Sequence, residues 1–547
     1  MGYLDDLMHR SKKPGEEEAA PSAGSAPPVA KPAAPAAKPQ PEPVQKAPEA
    51  TPAKPQEAVP TSSLVSLEVP VPEGAEVIAT SGVAKIYRAP DGRKIYTVPV
   101  PRPSGPERRI LDTVKEAATK LITVTPEEIA DPAERREFFK KRVLEIIDAS
   151  PELGIAPTKI DFYADTIVRE MIGYGPLDLL LVDDQLEEIM VIGPNRPVYI
   201  FHRRHEMMES NVVFGRDDDI RAIIDRIARD VGRRIDVKDP LLDARLPDGS
   251  RVNATIPPVS IEGSTITIRK FREDPFTVVE LVKFGTLNSE LAAFLWIAVE
   301  GLKAKPANIL VSGGTGSGKT TTLNTLASFI PRGERIITME DTAEIKIPVE
   351  HWIRFETRPP GIEGTGEVSM DTLVKNSLRM RPDRIVVGEV RGEEAFTLFT
   401  AMNTGHDGSL GTVHANDSRE TMVRLTSPPM SVPNLMLAAL NMIVVQKRIH
   451  DRRKGTIRRV TEVAEVTGVL EGNPQIVFLY EWDAATDTIR STGVPSKFLQ
   501  ELGKYTGLSH TEIQAEIARR RDFLEKLVAD DVKGIENVCG RIHAFAG

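Results

Sequence analysis

Short β-like runs come first along the chain. Lys85-Ile86-Tyr87 and Lys94-Ile95-Tyr96-Thr97-Val98 gather β-branched and aromatic residues in stretches too short for a helix. From about Ile110 the apolar positions shift to helical spacing, and Phe138, Phe139, Val143, Ile146 and Ile147 line one face of a helix over 134–147. Between 160 and 272 helical patterns alternate with Glu188-Ile189-Met190-Val191, Val198-Tyr199-Ile200-Phe201 and Thr265-Ile266-Thr267-Ile268, which predicts a small α/β domain. The pattern breaks around Glu273-Asp274-Pro275, where a second α/β domain begins. Ser289 is placed to cap a helix carrying Leu291, Phe294, Leu295, Ala298 and Leu302, and Pro306 precedes the strand Asn308-Ile309-Leu310-Val311. This domain runs to about residue 470, followed by a strand over 476–480 and a helical tail from about Ser509. The expected segments are therefore 1–65, 66–159, 160–275, 276–470 and 471–547.

Composition changes that picture at the N-terminus. Residues 14–60 hold 13 prolines and 13 alanines without an aromatic residue or an isoleucine, too little apolar surface to offset the entropy of ordering. A semi-extended tether of ~40 Å or more is expected there. Ahead of it, Tyr3-Leu4-Asp5-Asp6-Leu7-Met8-His9-Arg10 reads either as a frayed end or as a short docking helix. The opening residues carry two acids and no apolar h-region, so no signal peptide is expected. The rest, in a chain of 547 residues with 40% hydrophobic and 27% charged, suffices for ordinary cores. A net charge of −9 argues against a surface built throughout to grip nucleic acid. Cys539 is the single cysteine, which excludes an intrachain disulfide and a Cys-based zinc site. The longest apolar stretch, 434–445, contains two asparagines and falls well short of the ~18–20 residues of a membrane span.

One motif decides the class. Gly313-Gly314-Thr315-Gly316-Ser317-Gly318-Lys319-Thr320 is a complete G-x4-G-K-T between a buried-type strand and a helix-compatible run that opens with Thr321. Its glycines let backbone N–H groups turn inward around a β-phosphate, and the helix N-terminus adds a favourable dipole. Lys319 is expected to bridge β- and γ-phosphates, and Thr320 to place its hydroxyl on Mg²⁺. The next strand ends in Glu340-Asp341 with Glu344 one turn on, and a third, over 384–388, ends in Glu389. Carboxyl ends of parallel strands converge on the ligand crevice, so these acids are placed to hold Mg²⁺ or polarise water. Glu340 is the expected general base and Glu389 the residue organising Mg²⁺ and water, although the two roles could be exchanged. Two histidines, His406 and His414, flank the Gly-rich strand Gly408-Ser409-Leu410-Gly411-Thr412-Val413. One or two histidines without cysteine make a poor zinc site, and an imidazole sensing the γ-phosphate fits better; for His406 alone a structural role stands equally open.

Phosphate loop, Glu340-Asp341, Gly388-Glu389 and the histidine box, in that order, resemble the secretion ATPase superfamily, whose members power type II and type IV secretion, type IV pili, Tad pili and the archaeal flagellum. Glu356-Thr357-Arg358-Pro359-Pro360-Gly361-Ile362-Glu363-Gly364, Leu378-Arg379-Met380-Arg381-Pro382-Asp383-Arg384 and Ala401-Met402-Asn403-Thr404-Gly405-His406-Asp407-Gly408-Ser409 are similar to Tad/Cpa-type motors. Asp243-Ala244-Arg245-Leu246-Pro247-Asp248-Gly249-Ser250-Arg251, Thr267-Ile268-Arg269-Lys270-Phe271-Arg272 and Tyr480-Glu481-Trp482-Asp483 are similar to archaeal members. The resemblance covers roughly 160–545 and implies a RecA-like P-loop ATPase core behind a smaller α/β, PAS-like N-terminal domain. It further implies a homo-hexamer with ATP between the two domains and near the neighbouring subunit. Arg245, Arg251 and Arg269 match the arginines that reach the phosphates from the N-terminal domain, and His414 belongs with the catalytic set. The implied partners are a polytopic inner-membrane platform protein and, indirectly, a pilin or secreted substrate. The implied location is cytoplasmic, peripheral to the membrane. ATP and Mg²⁺ are the expected cofactors, with no zinc and no nucleic acid.

Two other classes compete. A nucleic-acid translocase is weakened by the acidic balance and by only 5% aromatic residues, since strand-binding channels combine basic grooves with stacking rings. An ATP-gated scaffold is weakened by the intact acids. The basic run Lys447-Arg448-Ile449-His450-Asp451-Arg452-Arg453-Lys454, with Arg458 and Arg459, reads either as a contact to the platform protein or anionic lipid or as a solvated hairpin tip.

Overall fold

Two nine-stranded sheets organise the chain in a computed structural model that describes residues 71–546 apart from 72, 101–103, 125, 130, 273 and 361–364. The Pro/Ala-rich tether, the turns at 3–10 and Gly361-Ile362-Glu363-Gly364 lie outside the described residues.

The first sheet is built from β1 (Glu76–Ser81), β2 (Ala84–Arg88), β3 (Lys94–Thr97), β4 (Leu186–Val191), β5 (Pro197–His202), β6 (Glu206–Val213), β7 (Leu241–Arg245), β8 (Arg251–Thr255) and β9 (Thr265–Arg269). Their order is β1-β2-β3-β6-β5-β4-β9-β8-β7, and only the β3–β6 pair is parallel. Alternation sends Val198 and Ile200 of β5, Val252 and Ala254 of β8, and Ile266 and Ile268 of β9 inward. There they meet Ile220, Ile223, Ile224 and Ile227 of the helix Asp217–Asp230. The sheet thus extends across the expected boundary at 159/160. The helices do so too: Gly105–Leu121, Pro132–Asp148 and Ile160–Ile172 share one apolar core around Leu111, Phe139, Val143 and Ile167.

The second sheet comprises β10 (Ile309–Ser312), β11 (Ile336–Glu340), β12 (Trp352–Glu356), β13 (Arg384–Val390), β14 (Leu410–Val413), β15 (Met442–Asp451), β16 (Gly455–Leu470), β17 (Asn473–Asp483) and β18 (Thr488–Ser491). The order is β12-β11-β13-β14-β10-β15-β16-β17-β18. The first six strands are parallel and the last three are joined antiparallel. β10 lies between β14 and β15, with β11 beyond β13, which is the RecA-like arrangement. β10 and β14 are buried at every residue, as strands covered on both faces must be. The β16–β17 hairpin runs through residue 470, so the strands after it continue this sheet.

The cap of the helix Ser289–Glu300 lies one residue before the expected Ser289. Asn288, extended at φ −99 and ψ 168, is the cap, and its Oδ1 accepts from the Leu291 N–H at 2.8 Å. Ser509 does cap the tail helix His510–Ala529 through a capping box with Glu512. The tail closes over Trp296, which stacks on Phe329 and meets Phe523 and Phe545. No helix among the described residues is long and apolar enough to cross a membrane.

Candidate functional site

The G-x4-G-K-T segment joins the end of β10 to the helix Lys319–Ala327. Gly316 and Gly318 take φ of +69 and +96, the left-handed region that glycine adopts freely. Space requires glycine as well, because a Cβ on Gly313 would stand 2.2 Å from the Gln446 carbonyl oxygen and one on Gly318 2.7 Å from the Gln446 amide nitrogen. Thr320 and Thr321 follow Lys319 in the first turn. Lys319 Nζ donates to the Gly314 carbonyl at 3.1 Å. Burial lowers its pKa and Glu389 opposes that.

The acids stand where the parallel strands end. Glu340, 2% exposed, is the last residue of β11. Its Oε1 accepts from the N–H groups of Glu344 and Ile345, each at 2.9 Å, while Oε2 is buried with no hydrogen-bond partner. Burial pushes this carboxyl up to about 7, against the two N–H bonds that favour its charge. Glu389 lies one residue before the end of β13 and pairs with Arg391, whose guanidinium also reaches Asp341 at 3.3 Å. Burial works to raise the Glu389 carboxyl, but Arg391, Lys319 and His414 outweigh it and hold it below its ordinary value. His414 follows β14 directly. Burial and then Lys319 lower its pKa, with Glu389 opposing, so the imidazole is neutral near pH 7. His406 precedes the other end of β14, so the strand separates it from this cluster; its Nδ1 is buried without a partner.

The three arginines fall in one row. Arg245 on β7 is directly opposite Arg251 on β8, and Arg251 is opposite Arg269 on β9. Like charges so placed repel, which makes this sheet end a poor structural feature and a good anion-facing one. In this structure Arg245 bonds Glu356 at 3.0 Å and Arg251 approaches Glu344 at 3.9 Å, both acids of the second sheet's loops and strand ends. Arg269 stands near enough to Lys319 to lower its pKa and lines a cavity of about 1100 Å³ shared with Lys270, Arg272, Gly316, Gly318 and Thr321.

The residues present fit a nucleotide with its magnesium ion. Two polar atoms buried without partners, Glu340 Oε2 and Ser317 Oγ, belong to the strand end and the glycine cradle. Thr320 and Glu389 are the hard oxygen donors such an ion takes.

Sequence reasoning missed Gln446 and placed all of the basic run on a surface, as a partner contact or as a solvated hairpin tip. Gln446 is 1% exposed and bonds the phosphate loop and its helix. Arg458 Nε donates to the Gly316 carbonyl at 2.9 Å, and Arg459 is buried against Asp487. These two guanidiniums therefore point into the protein, and the exposed tip retains Arg452, Arg453 and Lys454. The signal that could have found Gln446 is a lone amide in the buried run Met442-Ile443-Val444-Val445, five strand residues in register with β10 or just past it.

A family model described as Type II/IV secretion system protein matches residues 171–473. An uncharacterized protein of Methanocaldococcus jannaschii is 35% identical, over 68% of this chain and 75% of its own length. A putative conjugal transfer protein of Mycobacterium tuberculosis is also 35% identical, over 57% of this chain and 90% of its own. Among solved structures, the VirB11 ATPase from the Brucella suis type IV secretion system, in complex with sulphate, is 27% identical at a TM-score of 0.27, over 53% of this chain and 92% of that one.

Proposed function

This chain belongs to the type II/IV secretion system protein family, and from that premise we propose that it is a Mg²⁺-dependent ATP hydrolase working as a homo-hexameric cytoplasmic motor. Its work is the assembly of a type IV pilus-like filament, or protein secretion, through a polytopic membrane platform protein that it meets at the membrane surface. A pilin or secreted substrate is engaged only indirectly, and no nucleic acid takes part. The observation that carries the hydrolytic part is Glu340: a carboxylate buried at the end of β11, three places from β10 in the sheet, with one oxygen held by two N–H groups and the other without a partner.

ATP lies in the glycine cradle, with Lys319 across its β- and γ-phosphates and the backbone of 313–321 around them. Magnesium would supply charge neutralisation at the phosphoryl group, and Thr320 and Glu389 are the residues that would hold it. Glu340 takes the proton of the attacking water through Oε2, a task suited to a carboxyl whose proton affinity is already raised. His414, neutral, donates a hydrogen bond to the γ-phosphate or to Glu389. Arg245, Arg251 and Arg269 close on the phosphates when the two domains approach, which couples turnover to domain motion; an arginine so supplied contributes on the order of 10³–10⁵ in rate.

Phosphate release by the full chain, compared with Glu340→Gln and Glu389→Gln, tests this reading with and without DNA. Loss of turnover with retained ATP binding in both variants supports it. A variant with near-normal turnover removes that residue from the mechanism, and a rate that depends on DNA removes the secretion motor.

A further inference from the structure

The β15–β16 hairpin crosses the floor of the phosphate loop and also touches the first sheet. Gln446, on β15, bonds the second half of the loop and the helix that follows it. Its Nε2 donates to the Ser317 carbonyl at 2.8 Å, and its Oε1 accepts from the Thr322 hydroxyl in the first turns of the following helix. Its backbone carbonyl and its amide occupy the spaces that side chains on Gly313 and Gly318 would need. Arg458, on β16, holds the loop's midpoint through the Gly316 carbonyl. Arg448 is paired directly with Arg458 across the hairpin, and its guanidinium lies 3.4 Å from where a Gly316 Cβ would be and 5.8 Å from the centre of the Phe201 ring on β5. Next to it, Thr456 donates to Glu206 of β6 at 2.5 Å.

Two features set this apart from ordinary packing. A glutamine this buried makes one donor and one acceptor bond, and both end on the loop or its helix. Arg458 is likewise in an unfavourable place: burial lowers its pKa, Glu187 alone opposes this, and Arg448, Arg203 and Arg269 add to it. Charges collected at such cost, with a loop carbonyl as the contact of one of them, indicate selection for the shape of the loop.

We propose that Gln446 and Arg458 are positioning residues that fix the phosphate loop in its nucleotide-binding shape from the hairpin side, and that Arg448 and Thr456 tie that shape to the first sheet within the same subunit. The inference rests on the ATP-binding reading above. It also gives Arg458 of the basic run a role inside the protein, while Arg452, Arg453 and Lys454 stay on the exposed hairpin tip that was one of the two readings of its sequence.

The test is equilibrium binding of a fluorescent ADP analogue, with steady-state KM and kcat for ATP, on the full-length protein and its Gln446→Leu, Arg458→Met and Arg458→Lys variants. Each loss of a buried bond to the loop is expected to raise Kd and KM about tenfold. The change should fall on KM more than on kcat, and Arg458→Lys, which keeps a cationic donor, should recover part of it. Circular dichroism identifies any variant that does not fold; should Gln446→Leu be one, the Arg458 pair decides. Folded variants with unchanged Kd, or with kcat lost at unchanged KM, overturn the inference. A full-length wild-type protein that binds no analogue and hydrolyses no ATP overturns the reading beneath it, and that result is visible without any variant.

Discussion

A Cβ on Gly388 would stand 2.8 Å from the Glu340 Cγ and 3.3 Å from its Cβ, so the glycine before Glu389 is the surface against which the buried acid rests. Thr412 Oγ1 donates to the Gly388 carbonyl at 2.7 Å and holds that surface in place. Gly388→Ala therefore displaces Glu340. The expected outcome is a fall in kcat of about 10²-fold and a loss of about 1–3 kcal/mol of stability from overpacking. Phosphate-release kinetics and urea unfolding measure the two separately. Retained kcat would show that Glu340 need not sit where it does.

The raised proton affinity of Glu340 has two consequences for the nucleotide-free protein. The folded chain keeps this proton up to about pH 7, whereas the unfolded chain releases it near the ordinary carboxyl value of 4.5, so this site's contribution to stability is present below 4.5 and lost as pH rises through 7. The loss is at most about 3 kcal/mol. Glu340→Gln should remove it, so the variant's melting temperature should fall less than that of the unaltered protein between pH 5 and 8. Turnover runs the other way, since a base must be deprotonated: kcat/KM, which reports the free enzyme, should decline as pH falls below about 7. Parallel melting curves for the two proteins would contradict the first consequence.

What the sequence made legible follows from how local each signal is. The phosphate loop, Glu340 and Glu389 are readable because glycine spacing and strand-terminal acids are properties of a few consecutive residues. That Arg245, Arg251 and Arg269 form a row could not be read, because it depends on the register of three strands. The same limit hid the sheet that β2 and β3, both legible as short β-like runs, would join, because its other members begin about ninety residues later in the chain. Gln446 was invisible for the opposite reason: one amide in an apolar run carries no pattern, and only its contacts single it out.

The arginine row separates a static role from a catalytic one. The Arg245–Glu356 pair is about one-third exposed on both sides, and an ion pair of that kind contributes roughly 0.2–1 kcal/mol. Arg245→Gln and Arg269→Gln should therefore barely change the unfolding midpoint. If the row serves the phosphates, turnover should fall by more than tenfold in each, a result read from kcat with denaturant stability as the control. Stability and turnover both within error of the unaltered protein would leave the row without a function in hydrolysis.

The tail beyond the span of the family model is bound into the core by Arg520 and Glu300, each 3% exposed at its side chain, with the Arg520 guanidinium 4.6 Å from the Trp296 ring centre. Arg520→Met leaves Glu300 without this partner and is expected to cost about 3–5 kcal/mol. Arg520→Met with Glu300→Gln should recover part of that loss. Urea unfolding of the three proteins checks both statements.

The proposed homo-hexamer, with ATP near the neighbouring subunit, requires that subunits of this chain complete one another's sites for ATP hydrolysis. It is tested most directly by the specific ATPase rate of the full-length protein across protein concentration, with Mg²⁺ and without nucleic acid, beside Glu340→Gln. The rate is expected to rise with concentration to a plateau, and the variant to stay at background throughout. A specific rate that is flat across concentration, whether at background or above it, would contradict that requirement.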